Sequence, residues 1–184
     1  WRLTDDMWDN WQQLYDMFGR CGKWSAFVGA GSWPDCDMLP LGLIGTRTVA
    51  DGSEARVTRF TKDEQRSLMT LWSVFRSPLL FGGDLRKLDD WTRSLLTDPY
   101  LIDAHQNGRD AKEVHRKDDF VVWVSQSDAR KYVACFNLSD DPARLPESAG
   151  EWLRTMGGDM HEVWANRTVS IADAETAFIA PHGV

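Results

Sequence analysis

The spacing of apolar positions changes along the chain, and the change divides it. Between residues 5 and 19, Met7, Trp11, Leu14 and Phe18 recur every three or four positions, predicting an amphipathic helix capped by Thr4 or Asp5 and stopped at Gly19. Residues 25–28 form a short apolar strand candidate that runs into GAGSWPDCDMLPLG (29–42), a stretch too rich in Gly and Pro to be regular. A strand leading into a long, aromatic, acidic loop is a functional layout. Residues 46–60 are polar and irregular, after which Thr61 and Glu64 form a capping box that opens a helix with Leu68, Leu71, Trp72 and Phe75 on its apolar positions and an end before Pro78. PLLFGGD (78–84) reads as a buried strand closed by a glycine pair, and 89–105 as two short helical turns, the second started by Asp98 and Pro99.

Up to about residue 106 the order is helix, strand, loop, helix, strand, loop, helix, the alternation that implies a parallel sheet. After Asn107 and Gly108 the texture changes. FVVWVSQ (120–126) and KYVACFNL (131–138) are dense in β-branched and aromatic residues and are joined by the turn-like SDAR, which predicts antiparallel pairing. MHEVWAN (160–166) and the segments at 169–171 and 177–179 continue the short-strand pattern, so a domain boundary is placed near 107.

Composition narrows the partners. Twenty-one basic against twenty-eight acidic side chains give a net charge of −7, so no positive field gathers nucleic acid or an anionic membrane surface. No apolar run approaches the roughly 18 residues of a membrane span. Cys21, Cys36 and Cys135 are far apart, odd in number and without CxxC or histidine spacing, which indicates neither a disulfide framework nor a zinc site, and no other metal or organic cofactor is implied. Ten tryptophans exceed what a core needs by habit; most serve as apolar bulk, but a flat ring also binds the apolar face of a sugar. The chain begins at Trp1 without an initiator methionine and stops at Val184 after an apolar run, so both ends read as cuts.

Acidic groups cluster in LTDDMWDNW (Asp5, Asp6, Asp9) and GSWPDCDML (Asp35, Asp37), each where a strand would end. Carboxylates beside tryptophans suit glycosidic cleavage, which requires one carboxyl group to protonate the leaving oxygen and, in a retaining enzyme, a second about 5–5.5 Å away to attack. The same aspartates also suit helix capping and the satisfaction of loop amides. Arg2 is placed to hold a sugar hydroxyl or an aspartate, and Met38 to line a pocket or fill a core gap. The four histidines have no companion at useful spacing and read as structural or solvated. Asn137 and Asn166 head glycosylation acceptor triplets, a pattern common by chance.

WRLTDDMWDNW (1–11), GAGSWPDCDMLPLG (29–42) and FTKDEQRSLMTLWSVFRSPLLFGGDL (60–85) strongly resemble glycoside hydrolase family 27, the α-galactosidase or melibiase family, with SLLTDPYLIDAHQ (94–106) continuing it. The resemblance implies that residues 1–106 are the C-terminal portion of a (β/α)8 TIM barrel, from the loop after the sixth strand onward, and that 107–184 belong to an antiparallel β-sandwich domain. It implies a retaining exo-glycosidase acting on terminal α-D-galactosyl residues of oligo- or polysaccharides, at an extracellular or periplasmic location. Asp6 falls on the general acid/base, with Asp5 the rival if the register slips by one. Arg2 falls on a sugar-binding arginine, Met38 on a methionine lining the galactose pocket, and Asp37 on an acidic neighbour in that loop, with Cys36 where many members have proline. The family's nucleophile, an aspartate ending the fourth strand, has no counterpart in this text, and the residues that read the sugar 2-position also lie upstream. α-N-acetylgalactosaminidase and β-L-arabinopyranosidase activities therefore stay open. The rivals are, from a different class, a non-catalytic carbohydrate-binding protein working through the β-domain, and a degenerate glycosidase-like protein that has lost activity.

Overall fold

The computed structural model describes residues 1–45 and 54–184. The expected irregular stretch at 46–60 therefore lies partly outside the described residues.

The first helix, α1 (Trp11–Trp24), starts six residues later than its periodicity predicts and continues past Gly19. Its cap is Asn10, whose side chain accepts the Gln13 N–H, and Met7 is buried ahead of the helix, not on it. Its two interior glycines, Gly19 and Gly22, cost about 1 kcal/mol each, which the buried stripe Leu14, Met17, Phe18 and Cys21 outweighs. Residues 25–28 are not a strand: Ser25–Phe27 is one 3-10 turn appended to α1. A short pair, β1 (Leu43–Ile44) and β2 (Arg56–Val57), follows. Helix α2 (Lys62–Phe75) has the predicted capping box, with Thr61 accepting from Glu64 N–H and Glu64 accepting from Thr61 N–H. It ends on Arg76 in the left-handed region. Gln65, Ser67, Thr70 and Ser73 are buried on it along with its apolar residues, so α2 is enclosed on every side. Helices α3 (Asp90–Leu96) and α4 (Pro99–Asn107) follow, and α4 is capped by Asp98 with Pro99 in its first turn.

Residues 78–84 form no regular strand, and Leu80 is exposed. They contribute one parallel bridge, Leu39 to Phe81, with Leu39 N–H donating to Leu80 O (2.7 Å) and Gly82 N–H to Leu39 O (2.9 Å). A second parallel bridge joins Arg2 to Asp35, with Leu3 N–H on Asp35 O and Asp35 N–H on Trp1 O, both at 2.8 Å. Three extended segments thus run side by side in the same direction.

The chain then turns antiparallel. Strands β3 (Arg109–Lys117), β4 (Phe120–Gln126) and β5 (Lys131–Asn137) form one sheet with β4 central. Strand β3 went unpredicted because RDAKEVHRK is almost wholly polar, as suits a charged edge. Along β4 the two faces part with period two. Val121 and Trp123 join the core built by α1 and α2, where Phe18 meets Phe136 edge-on and Phe75 meets Trp123. Phe120 and Val122 face the other way, onto Ala149 of helix α5 (Glu147–Met156) and Ile179. That second face is covered by α5 and the two-residue pair β6 (Ala143–Arg144) and β9 (Phe178–Ile179), and not by an extended second sheet. A hairpin, β7 (Met160–Glu162) with β8 (Arg167–Val169), and helix α6 (Ile171–Thr176) complete the chain.

Candidate active site

The parallel segments gather three of the four expected site residues. Arg2 Nη2 donates to Asp37 Oδ2 (2.7 Å) and to Asp6 Oδ1 (3.1 Å). The hydrogen bond to Asp6, opposed by partial burial and helped by the charges of Asp37, Asp6 and Asp35, holds the guanidinium above its usual pKa. The two carboxylates differ in standing: the Asp6 side chain is 81% exposed and that of Asp37 17%. Asp5 is exposed and takes no part in the cluster.

Asp37 is held by its own backbone and its neighbours. Its φ of 76° lies in the left-handed region, which aspartate tolerates better than most residues. Its N–H donates to Asp35 Oδ1 (2.8 Å), its carbonyl accepts from Trp72 Nε1 (3.1 Å), and its Oδ2 accepts the Met7 N–H (2.6 Å) as well as Arg2. One residue earlier, Cys36 N–H donates to Ser77 Oγ. Helix α2 and the turn after it thereby fix the loop from beneath. Met38 is half-buried and packs on Gly82 of the neighbouring segment, where an added Cβ would lie 2.5 Å from its sulfur.

Asp9 sorts differently from the aspartates it clusters with in sequence. Its side chain is 1% exposed and takes the fork of Arg56, with Nη2 to Oδ1 at 2.7 Å and Nη1 on Oδ2, and the Arg59 N–H at 2.6 Å. Burial pushes its pKa up, but these donors outweigh it and the net shift is downward. It is an anchor for the β2 region, a role no sequence spacing could disclose. Burial alternates as Asp6 out, Met7 in, Trp8 out, Asp9 in, so Trp8, at 39% exposure, is open to solvent two residues after Asp6. Gln13 Oε1 accepts the Trp8 N–H and fixes the backbone there.

Among the described residues no group of three or more His, Cys, Asp or Glu could hold a metal ion, and no helix is long and apolar enough to cross a membrane.

The melibiase family described as Alpha galactosidase A matches residues 1–107. An α-galactosidase of Cyamopsis tetragonoloba is 30% identical over 95% of this chain and 40% of its own length. An α-N-acetylgalactosaminidase of Gallus gallus is 27% identical over all of this chain and 45% of its own. Among solved structures, the β-L-arabinopyranosidase of Geobacillus stearothermophilus is 46% identical with a TM-score of 0.85, covering all of this chain and 42% of that one. The chain thus spans about two fifths of the length of such relatives. With the family matched over more than half its residues, the chain belongs to glycoside hydrolase family 27.

Proposed function

We propose that these residues are the C-terminal part of a retaining exo-glycosidase that releases terminal α-D-galactosyl residues from oligo- or polysaccharides. In this reading 1–106 close a (β/α)8 barrel and 107–184 form its β-domain. The observation that carries it is the Arg2 guanidinium shared between an exposed and a largely buried carboxylate where parallel segments meet, in a chain of this family. Asp6, free on its solvent side, protonates the leaving oxygen and later takes the proton of the attacking water. To act as an acid it must give up its contact with Arg2, and that contact is the longer of the two. Asp37 keeps hold of the guanidinium as it turns to a sugar hydroxyl. Met38 lines the pocket, and Trp8 offers a flat apolar face beside the acid, of the kind that stacks on sugars. The nucleophile comes from elsewhere in the whole enzyme, so the 184 residues alone are expected to be inactive.

A second reading has its own support. The β-L-arabinopyranosidase is 46% identical, above the 30% of the plant α-galactosidase. β-L-Arabinopyranose is α-D-galactopyranose without its hydroxymethyl group, so one pocket suits either sugar. Initial rates of the whole enzyme on nitrophenyl α-D-galactoside, β-L-arabinopyranoside and N-acetyl-α-D-galactosaminide decide between them. A preference for the first supports the primary reading, a preference for the second the alternative, and no turnover of any of the three sinks both.

A further inference from the structure

Cys21 and Cys36 are absent from the chemistry above, yet their Sγ atoms lie 3.5 Å apart and both residues are fully buried. Both are free thiols. Cys21 sits on α1, and Cys36 stands between Asp35, whose backbone pairs with residues 1–3, and Asp37, which holds Arg2. A disulfide needs sulfurs about 2.05 Å apart, so closing this pair takes a movement of about 1.5 Å, within the reach of side-chain rotation and a small shift of α1. Cys135 packs on the opposite face of the β-sheet, against Phe120, Val122 and Ala149, and offers no competing partner.

We propose that Cys21 and Cys36 are an oxidation site, a dithiol that closes to an intramolecular disulfide and staples α1 to the loop carrying Asp37. The oxidant class is a peroxide or a small-molecule disulfide. With hydrogen peroxide, one thiolate attacks the O–O bond and becomes a sulfenic acid as hydroxide leaves and is protonated to water. The second sulfur then displaces the sulfenic oxygen, which leaves as a second water. Two thiols are oxidised and one peroxide is reduced. With oxidised glutathione, two exchange steps release two glutathione thiols. Loss of hydration, and then the hydrogen bond shared with Cys36, push the Cys21 thiol well up, so the reagent meets a thiolate only when α1 lifts from the loop. Oxidation is accordingly slow in the native state and faster in mild urea or during refolding.

The staple closes a short loop of about fifteen residues. Its restriction of the unfolded chain should raise the unfolding temperature of the whole enzyme by a few degrees. The test treats the whole enzyme with oxidised glutathione in mild urea and maps proteolytic peptides without reduction. The expected result is one linked peptide pair joining Cys21 to Cys36, lighter by two hydrogen atoms than its parts, with Cys135 still free. The midpoints of thermal unfolding and of heat inactivation should rise with it, reverse on reduction, survive Cys135→Ser and disappear in Cys36→Ser. Separate glutathione adducts on the two cysteines, unmodified thiols after refolding in oxidant, or a linked pair without a rise in midpoint would each overturn the proposal. The mapping needs no variant and no substrate, so it stands apart from the glycosidase reading.

Discussion

At Asp37 a single carboxylate oxygen accepts both the Arg2 guanidinium and the Met7 N–H, so the residue that holds Arg2 also fixes the backbone just after Asp6. Replacing it by Asn keeps one acceptor for two donors and removes the charge. In the whole enzyme Asp37→Asn is expected to lower kcat/KM by about tenfold or more, the effect of losing a charge-assisted hydrogen bond of roughly 1.5–3 kcal/mol, as read from initial rates on the preferred nitrophenyl glycoside. Asp6 is the opposite case. Its ion pair with Arg2 is exposed and contributes little to stability, so Asp6→Asn should leave the melting temperature nearly unchanged while kcat falls by about 10²–10⁴. Near-normal turnover would move the acid to Asp5. Arg2, Asp6, Asp37 and Met38 could be named as candidates because they sit in long motifs, but the separation of Asp9 from its neighbours could not be read, since its partner Arg56 lies 47 residues away. Nor could the triplets at Asn137 and Asn166 be told apart. Asn137 is buried and donates to the carbonyls of Asp141, Ile179 and Ala180, leaving it nothing to offer a glycan, whereas Asn166 is exposed.

Elements whose ends are written in local chemistry were read correctly, and those decided by distant packing were not. The Thr61–Glu64 box and the Asp98–Pro99 start are self-contained signals. The start of α1 was misplaced because Met7 keeps the helical spacing while its backbone answers to Asp37, and α5 was missed because Ala149 and Leu153 give it too thin a stripe to stand out. The short contacts between extended segments carry their own expectations. Asp9→Ala leaves Arg56 and the Arg59 N–H without their acceptor and should destabilise the protein by about 2–4 kcal/mol, measured by urea unfolding. A Cβ at Gly82 would lie 3.2 Å from Leu39 O, so the backbone must give by a few tenths of an ångström, and 2.5 Å from the Met38 sulfur, which must move. Gly82→Ala should therefore raise KM severalfold with little change in kcat and a small loss of melting temperature. An unchanged KM would show that Met38 does not face the sugar.

Across the whole molecule, the change from parallel to antiparallel text near residue 107 is not a break in the core. Phe18, Phe75, Trp123 and Phe136 belong to one buried cluster, and the seam is sealed on its polar side by Asp103 of α4, which accepts from Tyr132, Ser127 and Asn107. Tyr132, and after it Asn107 and Ser127, hold the Asp103 carboxyl at about 2, against an ordinary 3.8. A depressed carboxyl stabilises the fold fully above its unfolded value and loses that contribution as pH falls through the folded one, so the window runs from about pH 4 to pH 2. Stability followed against pH should fall across that window, and Asp103→Asn should flatten the slope there; an unaltered slope would assign the acid sensitivity to other carboxylates. The sequence carried the change of texture but not the shared core, because apolar residues do not announce which side of a boundary they pack on. This seam has a consequence for how such enzymes diversify. An antiparallel sheet that merely trailed the helical part could be exchanged for any other module by recombination, but one that lends Trp123 and Phe136 to the core beneath α1 and α2 must be inherited with it. Relatives of this chain are expected to vary their exposed loops freely while positions 18, 75, 123 and 136 drift in step, each accepting a new side chain only as its partner across the seam makes room.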